Sequence, residues 1–293
     1  MLKKQKRRRN RIALILLIAI ICTVIIGLLS SKHCLKVSSY HISSEQILKP
    51  VRIVHISDIH NSVFGDNNKR IIEKIEELEP DIILLTGDLL NMDNEDLHIA
   101  VELIAELNSV AAVYCSFGNH EVGYENNYEI DLKQIYENAG ATVLDNEWMD
   151  LTINKNRIRL GGIYGYCLSE EYLKTGEAKK DEVDFLNHMA ETSYYCILMA
   201  HMPVCWIKNG SLDSYNIDLV LSGHSHGGQI IIPFIGGLYA PDQGWFVGKD
   251  WGIFNSEDNK KHLILTTGLG SNEKIPRFNN IPEIVLIVLE PVN

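Results

Sequence analysis

Five short polar groups in this 293-residue chain combine aspartate, histidine and asparagine, which bind divalent metal ions through oxygen and imidazole nitrogen. Each group directly follows a run of apolar residues. In chain order they are Asp58-x-His60, Asp88, Asn119-His120, His201 and His224-x-His226. Two metal ions held about 3.5–4 Å apart by such residues can clamp a phosphate and activate a water for in-line attack. A carboxylate has two oxygens, so one aspartate can serve both ions.

Each group also has an ordinary structural interpretation. Asp58 could cap a following helix, Asn119 could belong to a turn, and His201 could be a loop histidine with satisfied hydrogen bonds. The pair His224 and His226 could lie in a surface turn. The metal interpretation is favoured because all five groups follow apolar runs in the same way, and the carboxyl ends of parallel strands meet along one edge of a sheet.

The elements that must position these groups are visible as alternating strand and helix patterns. Apolar runs predict strands at residues 51–57, 81–86, 111–117, 194–200 and 217–221. Amphipathic stretches predict helices at 67–78, 95–107, 130–138 and 181–191. Further strands are predicted within 143–163, with a turn at 154–156, and at 245–254, 263–267 and 283–289. We therefore predict an α/β fold, a four-layer α/β/β/α sandwich of two mixed sheets flanked by helices.

The N-terminal region predicts a membrane anchor. Residues 3–11 carry seven Lys or Arg and no acid, and residues 12–29 contain no charged side chain, a length that can span a hydrocarbon core. We predict a basic tail at 1–11, a transmembrane helix at 12–29, a linker or first hairpin at 30–49 and the main domain at 50–293. The excess of positive charge before the span places the N-terminus in the cytoplasm and the domain outside. A cleaved signal peptide is the alternative.

Charge and cysteine content narrow the partners. The chain has 27 basic and 38 acidic residues; without the seven N-terminal positive charges, 20 basic residues face 38 acidic ones, a net charge of −18. Such a domain disfavours nucleic acid, so no nucleic-acid partner is expected and a nuclease would show salt-sensitive cleavage.

The six cysteines lack CxxC spacing, and an outward-facing domain could form a disulfide among Cys34, Cys167 and Cys205.

The ordered set D-x-H, G-D, G-N-H-E, H and G-H-x-H resembles the calcineurin-like metallophosphoesterase family, from Asp58 to His226. The resemblance implies two divalent metal ions and a bridging hydroxide as nucleophile. One ion would be bound by Asp58, His60, Asp88 and His226, and the other by Asp88, Asn119, His201 and His224. It also implies that His120, not a ligand, donates a proton to the leaving oxygen or steadies the phosphoryl charge, and that Glu121 supports its neighbours.

The C-terminal stretches GHSHGGQI, GLYAPDQGWFVGK, TTGLG and IPRFNNIPEIVLIVLE are similar to a bacterial membrane-associated branch of the family, with YkuE- and YaeI-type phosphodiesterases and related UDP-diacylglucosamine hydrolases. One departure concerns Asn91, where many relatives have an aspartate that supports the catalytic histidine. We expect Asn91 to accept a hydrogen bond from His120 without supplying charge, or Asp93 to substitute for it. The missing charge at Asn91 predicts slower turnover of substrates with poor leaving groups.

These observations predict a membrane-anchored, dinuclear-metal hydrolase acting on a phosphodiester or pyrophosphate bond. A phosphomonoesterase with the same site is the alternative, since the ligand set suits both. A non-catalytic, membrane-tethered binding module is less favoured, because every ligand position is filled. Aromatic residues in predicted loops at 122–130, 164–180 and 234–250 make a lipid-linked phosphoester substrate reasonable, although packing is their ordinary role. The residue types accept Mn, Fe, Zn, Co or Mg alike.

Overall fold

Two six-stranded β-sheets lie face to face at the centre of the molecule. The computed structural model describes residues 2–165, 178–208, 210–240, 244–248, 250–271 and 275–292. The strands of the first sheet are β1 (Lys36–Ser44), β2 (Val51–Ile56), β3 (Ile82–Thr86), β4 (Ala112–Ser116), β5 (Ala141–Val143) and β15 (Glu283–Pro291). Their order is β1-β15-β2-β3-β4-β5, and β2 to β5 run parallel to one another.

The second sheet carries the remaining long strands. They are β6 (Glu147–Ile153), β7 (Asn156–Ile163), β8 (Tyr195–Ala200), β9 (Leu219–Ser222), β13 (Gly252–Asn255) and β14 (His262–Leu265). Their order is β13-β14-β9-β8-β7-β6, with β7, β8, β9 and β14 parallel and the two edge strands antiparallel. A separate antiparallel sheet, called the small sheet below, consists of β10 (Ile231–Ile232), β11 (Gly236–Ala240) and β12 (Gly244–Gly248).

Helices cover the outer faces of both large sheets. The helices are α1 (Leu2–His33), α2 (Lys69–Glu76), α3 (His98–Val110), α4 (Asn119–Tyr128), α5 (Leu132–Asn138), α6 (Lys180–Ala190), α7 (Val204–Lys208) and α8 (Ser211–Ser214). Single 3-10 turns occur at Asp66–Asn68 and His226–Gly228. Apolar side chains of α2, α3 and α5 pack on the first sheet, and those of α6 and α7 pack on the second.

The alternation of side chains along each strand separates the apolar layers. In β2, Val54 and Ile56 face the helices, whereas Ile53 faces the second sheet. The layer between the sheets also contains Leu84 of β3 and Ile197 of β8, all fully buried. The predicted α/β/β/α architecture is therefore confirmed.

Four local predictions were wrong. The first hairpin expected at 30–49 does not form, because β1 pairs in parallel with β15 and β15 separates it from β2. The single strand expected at 245–254 is divided between β12 and β13, which belong to different sheets, and the loop expected at 234–250 contains β11 and β12. The loop expected at 122–130 is largely the helix α4, whereas the loop at 164–180, including Tyr166, falls mostly outside the described residues. The first of these errors concerns pairing with residues distant in sequence, which no local pattern marks.

The N-terminal helix α1 is, among the described residues, the one helix long and apolar enough to cross a membrane. Its apolar side chains are exposed along most of its length, as at Leu16 and Ile20. The helix becomes buried where it meets the domain, at Gly27 and Ser31. The tail predicted at 1–11 continues into this helix without a break.

Five cysteines lie within the described residues, and no disulfide joins any two of them. The disulfide considered between Cys34 and Cys205 is therefore not formed. Cys167 lies outside the described residues.

Candidate metal centre

The carboxyl ends of β2, β3 and β4 in the first sheet and of β8 and β9 in the second meet at one edge of the sandwich. The structure brings all seven predicted ligands together there. Six have almost no exposed surface, and Asn119 is half-buried. Burial of so many ionisable groups is costly unless they are paired or bind metal ions.

The predicted ligands form two groups around a shared carboxylate. Candidate ligand atoms lie within 4.8 Å of one another in two sets, Asp58, His60 and His226 on one side and Asp88, His201 and His224 on the other. Asp88 Oδ2 lies 3.2 Å from His201 Nε2 and 3.6 Å from His60 Nε2. The same oxygen therefore faces an imidazole of each group, a position from which Asp88 could serve both ions.

Asn119 belongs to the second group. Its Oδ1 lies 3.2 Å from His201 Nε2 and 3.0 Å from His224 Nδ1. Asn119 is the first residue of α4, which begins immediately after Gly118. The backbone at this helix start turns the amide toward the two histidines.

Five of the seven predicted ligands have left-handed backbone conformations, with φ between 46° and 68°. They are Asp58, His60, Asp88, His224 and His226. Aspartate and histidine adopt this region more readily than bulky residues, yet it costs about 1–3 kcal/mol per residue. Only surrounding structure that holds the turns in place can maintain so many, and strained backbone of this kind clusters at functional sites.

Two glycines allow the turns to approach the carboxylates. A Cβ atom at Gly118 would collide with Asp88 Oδ1, and one at Gly223 would collide with Asp58 Oδ2 and Ser57 Oγ. The glycines of the motifs G-N-H-E and G-H-x-H therefore provide space beside the ligands rather than backbone freedom.

Hydrogen bonds fix which imidazole nitrogens face the centre. The His201 Nδ1–H donates to Thr86 O at 2.6 Å, which leaves Nε2 toward Asp88. His60 Nδ1 lies 3.0 Å from Asn91 Oδ1, which leaves the buried His60 Nε2 without a hydrogen-bond partner. His226 Nδ1 also has no hydrogen-bond partner. The other ring nitrogen, His226 Nε2, lies 3.9 Å from Asp58 Oδ1. Buried nitrogens facing carboxylates beyond hydrogen-bond distance fit a metal ion between them.

The hydrogen bond predicted between Asn91 and His120 is wrong. Asn91 forms two hydrogen bonds with His60. Its Oδ1 accepts from the ring Nδ1–H at 3.0 Å, and its Nδ2 donates to the backbone His60 O at 3.2 Å. The residue after Asn91 is Met92, and its backbone N–H donates to His120 Nδ1 at 3.1 Å. The expected substitute, Asp93, is exposed. Asn91, where many relatives have an aspartate, therefore supports the predicted metal ligand His60 and not the predicted catalytic His120.

The donor from Met92 determines the tautomer of His120. A backbone N–H can only donate, so Nδ1 must be an acceptor and the proton lies on Nε2. Transfer of that proton would leave an imidazolate anion. His120 is therefore better suited to donate a hydrogen bond than to transfer its proton. His120 also lies within ligand distance of His60 and Asp88, but binding of a metal ion through Nε2 would require loss of this proton.

Electrostatics at the centre favour positive charge. Burial alone would raise the pKa of Asp88, but the imidazoles of His201, His60 and His120 lower it well below the usual range. Burial would lower the pKa of His201, but Asp88 and Asp58 raise it to about 9. Burial lowers the pKa of His226 and keeps it neutral. Two carboxylates that hold a proton on His201 can hold a metal cation in its place.

Glu121 fixes the turns after β3 and β4. Its buried carboxylate accepts from the N–H groups of Asp88 at 2.7 Å, Leu89 at 2.8 Å and Gly118 at 2.9 Å, and from Tyr136 Oη at 3.3 Å. Burial and the Asp88 carboxylate raise the pKa of Glu121 to about 7, while the backbone donors act in the opposite direction. Its oxygens are occupied by donors, so it positions Asp88 instead of contacting substrate.

Residues from the C-terminal segment support the centre and were not predicted. Asn280 Nδ2 donates to His226 O at 2.6 Å, and the half-buried Arg277 guanidinium donates to Asn280 Oδ1 and to the carbonyl oxygens of Gly268 and Gly270. Burial lowers the pKa of Arg277 to about 10. The segment IPRFNNIPE contains both residues and was noted only for its family resemblance. No spacing rule connects it with His226.

Comparison with known proteins identifies related chains. A model of the calcineurin-like phosphoesterase family matches residues 51–228, which include every predicted ligand. The uncharacterized metallophosphoesterase YkuE of Bacillus subtilis is 29% identical over 271 residues, covering 89% of this chain and 87% of that protein. Phosphodiesterase YaeI of Escherichia coli is 28% identical over 254 residues, or 82% of each chain. A Danio rerio transmembrane protein with a metallophosphoesterase domain is 29% identical over 245 residues, covering 76% of this chain and 54% of that protein.

Proposed function

This chain belongs to the calcineurin-like phosphoesterase family, and we propose that it is a membrane-anchored enzyme that hydrolyses a phosphodiester or pyrophosphate bond. Family membership makes it a metal-dependent phosphoric ester hydrolase, and the motif resemblance is confirmed. The position of Asp88 Oδ2 between His60 and His201 is the observation that supports a dinuclear centre most directly.

The ligands divide between the two ions as the two side-chain groups do. Asp58, His60, Asp88 and His226 would hold the first ion. Asp88, Asn119, His201 and His224 would hold the second. Divalent ions in such a centre supply Lewis acidity and lower the pKa of a bound water.

The protein's own groups keep the centre attractive to an anionic substrate. Only Asp58 and Asp88 carry negative charge among the predicted ligands, and neutral imidazole and amide groups complete the set. The His120 Nε2–H stabilises negative charge on the phosphoryl group or leaving oxygen by donating a hydrogen bond. Phosphodiester bonds are favoured over monoesters because a relative that matches over 82% of each chain, YaeI, is named a phosphodiesterase.

The α1 helix crosses the membrane once, with its basic N-terminus in the cytoplasm and the domain outside. Strand directions support a metal centre close to the membrane. β1 and β15 both begin at the edge where β2 ends, since Lys36 pairs with Glu283 and Val285 pairs with His55. The end of α1 therefore enters the fold at the edge that carries the metal centre.

A hydrogen-bonded connection supports this placement. Asn280 N–H donates to Ser31 Oγ at 2.9 Å, and the Asn280 side chain donates to His226 O. A single residue thus joins the end of α1 to a predicted metal ligand. Beside it lies a cavity of about 510 Å³, lined by Leu28 of α1 and by Gly270, whose N–H donates to Asp58 O at 2.6 Å. This arrangement suits a substrate whose phosphoester group is attached to a lipid in the same membrane.

Hydrolysis assays on the full chain test the proposed reaction. The detergent-solubilised protein, loaded with Mn²⁺, is assayed with bis-p-nitrophenyl phosphate and p-nitrophenyl phosphate, and its metal content is measured. Diester cleavage with two bound ions is expected. Cleavage of the monoester alone would favour the phosphomonoesterase, and absence of bound metal would favour the binding module.

A lipid-linked substrate is tested separately. The same protein in lipid nanodiscs should cleave a phosphodiester with an acyl-chain anchor faster than its water-soluble headgroup analogue. Equal rates on both would contradict the lipid-linked part of the proposal and leave the hydrolase assignment intact.

A further inference from the structure

Four large apolar side chains on the small sheet lie exposed to solvent: Phe234, Ile235, Trp245 and Phe246. We propose that these side chains insert into the interfacial layer of the lipid bilayer beside α1, as a second membrane contact that holds the metal centre against the membrane surface. This inference rests on the proposed membrane span of α1.

The exposure of these side chains is unusual for this chain. Phe234 is 109% exposed, Phe246 70%, Trp245 60% and Ile235 59%, relative to a fully exposed residue. The other large apolar side chains that are exposed outside α1 in the described residues occur singly, as at Trp148. Isolated exposed apolar residues are normal, but several on one small element indicate a binding surface.

The small sheet holds these side chains outward by its own structure. Phe234 and Phe246 have left-handed backbone conformations, with φ of 70° and 59°. Trp245 pairs across strands with Tyr239, and their ring centroids lie 5.2 Å apart. Trp245 and Phe246 are therefore presented by a strand of the antiparallel sheet, and Phe234 by the turn between β10 and β11.

The position of the small sheet along α1 identifies its partner. Ile231 N–H donates to Phe278 O at 3.0 Å, and Asn279 Nδ2 donates to Ile231 O at 3.0 Å. The same segment contacts α1, because Asn279 N–H donates to Gly27 O at 3.3 Å and the Phe278 ring leaves no room for a Cβ atom at Gly27.

Gly27 sets the depth of the small sheet relative to the bilayer. It lies within the apolar run 12–29 that spans the hydrocarbon core, two residues before its end. An element joined to Gly27 through one short segment must lie at the level where the helix leaves the hydrocarbon. That level is the interface, where tryptophan and tyrosine are enriched in membrane proteins.

The charge of the small sheet agrees with insertion. Its three strands contain no charged side chain, and across residues 229–249 the single acid, Asp242, is balanced by the single base, Lys249. The acidic domain lacks a basic cluster that would attract anionic headgroups, so contact with lipid must come from apolar insertion.

Fluorescence quenching by lipid tests this contact in the full chain. The protein is reconstituted in phosphatidylcholine nanodiscs, with and without phosphatidylcholine brominated on its acyl chains. The variant W245F should lose at least half of the bromolipid-dependent quenching of tryptophan emission. The matched control W148F, which alters an exposed tryptophan on β6, should retain the quenching.

Two native cysteines separate failure of the span from failure of this inference. In the same nanodiscs, a membrane-impermeant maleimide should label Cys34, after the span, and not Cys22, within it. If Cys22 is shielded but W245F keeps full quenching, the small sheet does not contact lipid and the inference is overturned alone. If both cysteines react, the span and the inference fall together. Emission of Trp245 that changes with protein concentration but not with bromolipid would assign the surface to a second copy of the chain.

Discussion

At the metal centre, six predicted ligands have almost fully buried polar side chains, whereas on the small sheet four large apolar side chains lie exposed. Both regions also contain non-glycine residues in left-handed conformations, which cost free energy in the folded chain. Polar side chains are ordinarily exposed and large apolar side chains ordinarily buried. The metal centre departs from the first tendency, and the small sheet departs from the second. A metal cation offsets the cost in one region, and a lipid interface would offset it in the other.

The two regions share one structural support. Asn280 contacts His226 and Ser31, and its neighbours Phe278 and Asn279 contact the small sheet and Gly27. The comparison therefore predicts that changes at the centre affect metals and chemistry, that changes on the small sheet affect lipid contact, and that changes in residues 278–280 can affect either.

The largest effect is expected from removal of the shared carboxylate. In D88N, a single amide oxygen replaces the oxygen that faces both His60 and His201, so metal content should fall below two ions per chain. Diester hydrolysis should decrease on the order of 10³-fold. Metal analysis and kcat measurements test this, with the exposed D93N as control. A D88N variant with two ions and full activity would remove the basis of the dinuclear assignment.

Removal of the His120 imidazole should reduce kcat by about 10²–10³-fold without loss of metal, because only a donor to developing charge is lost. Activity and metal content of H120A are measured together. Loss of one ion in H120A would instead place His120 among the ligands, as its proximity to His60 and Asp88 permits.

The shared segment offers a matched pair of variants. N280A removes the hydrogen bond to His226 O and should weaken metal affinity by about 10-fold, the low end for residues that support a ligand. N279A removes a hydrogen bond to Ile231 of the small sheet and should leave metal affinity unchanged. Titration of the metal-free protein with Mn²⁺ compares them. Equal affinities in the two variants would mean that Asn280 does not position His226.

The contact between Asn91 and His60 predicts that the variant N91D binds metal more tightly. N91D would place a carboxylate against His60 Nδ1–H, which makes the imidazole a better ligand and should raise metal affinity by several-fold. The dependence of rate on leaving group should not change, because His120 is bonded to Met92 N–H. A selective gain with poor leaving groups would restore the interpretation that residue 91 supports His120.

The smallest effect is expected at a carboxylate remote from the centre. Burial raises the pKa of Asp218 to about 6, although Cys196 N–H donates to it at 2.7 Å. Because the folded state binds the proton more tightly than the unfolded state, this group's contribution to stability is present below pH 4 and is lost as pH rises through 6. D218N should therefore gain about 1 kcal/mol more over the wild type at pH 7.5 than at pH 5, after a discount for partial exposure.

Urea unfolding of the full chain in detergent at the two pH values measures this difference. A constant difference between D218N and the wild type would show that Asp218 carries no burial cost.

The types and positions of the predicted ligands follow from sequence because they depend on local pattern. Apolar runs mark the strands, and each strand delivers its next polar residue to the same edge, so Asp58, Asp88 and His201 meet without knowledge of the fold's details. The layer order follows for the same reason, since buried strands and one-sided helices have few stable arrangements.

Sequence alone also marked the apolar run at 12–29 as a candidate membrane span, from composition and length. Tertiary structure decided what each polar group contacts. Asn91 reaches His60 rather than His120, β1 pairs with the last strand of the chain, and Asn280 joins α1 to His226. Hydrogen bonds act over about 3 Å and depend on side-chain direction, which packing between residues distant in sequence sets. A pattern of residue types therefore predicts which groups gather at an edge, and only the folded chain determines their partners.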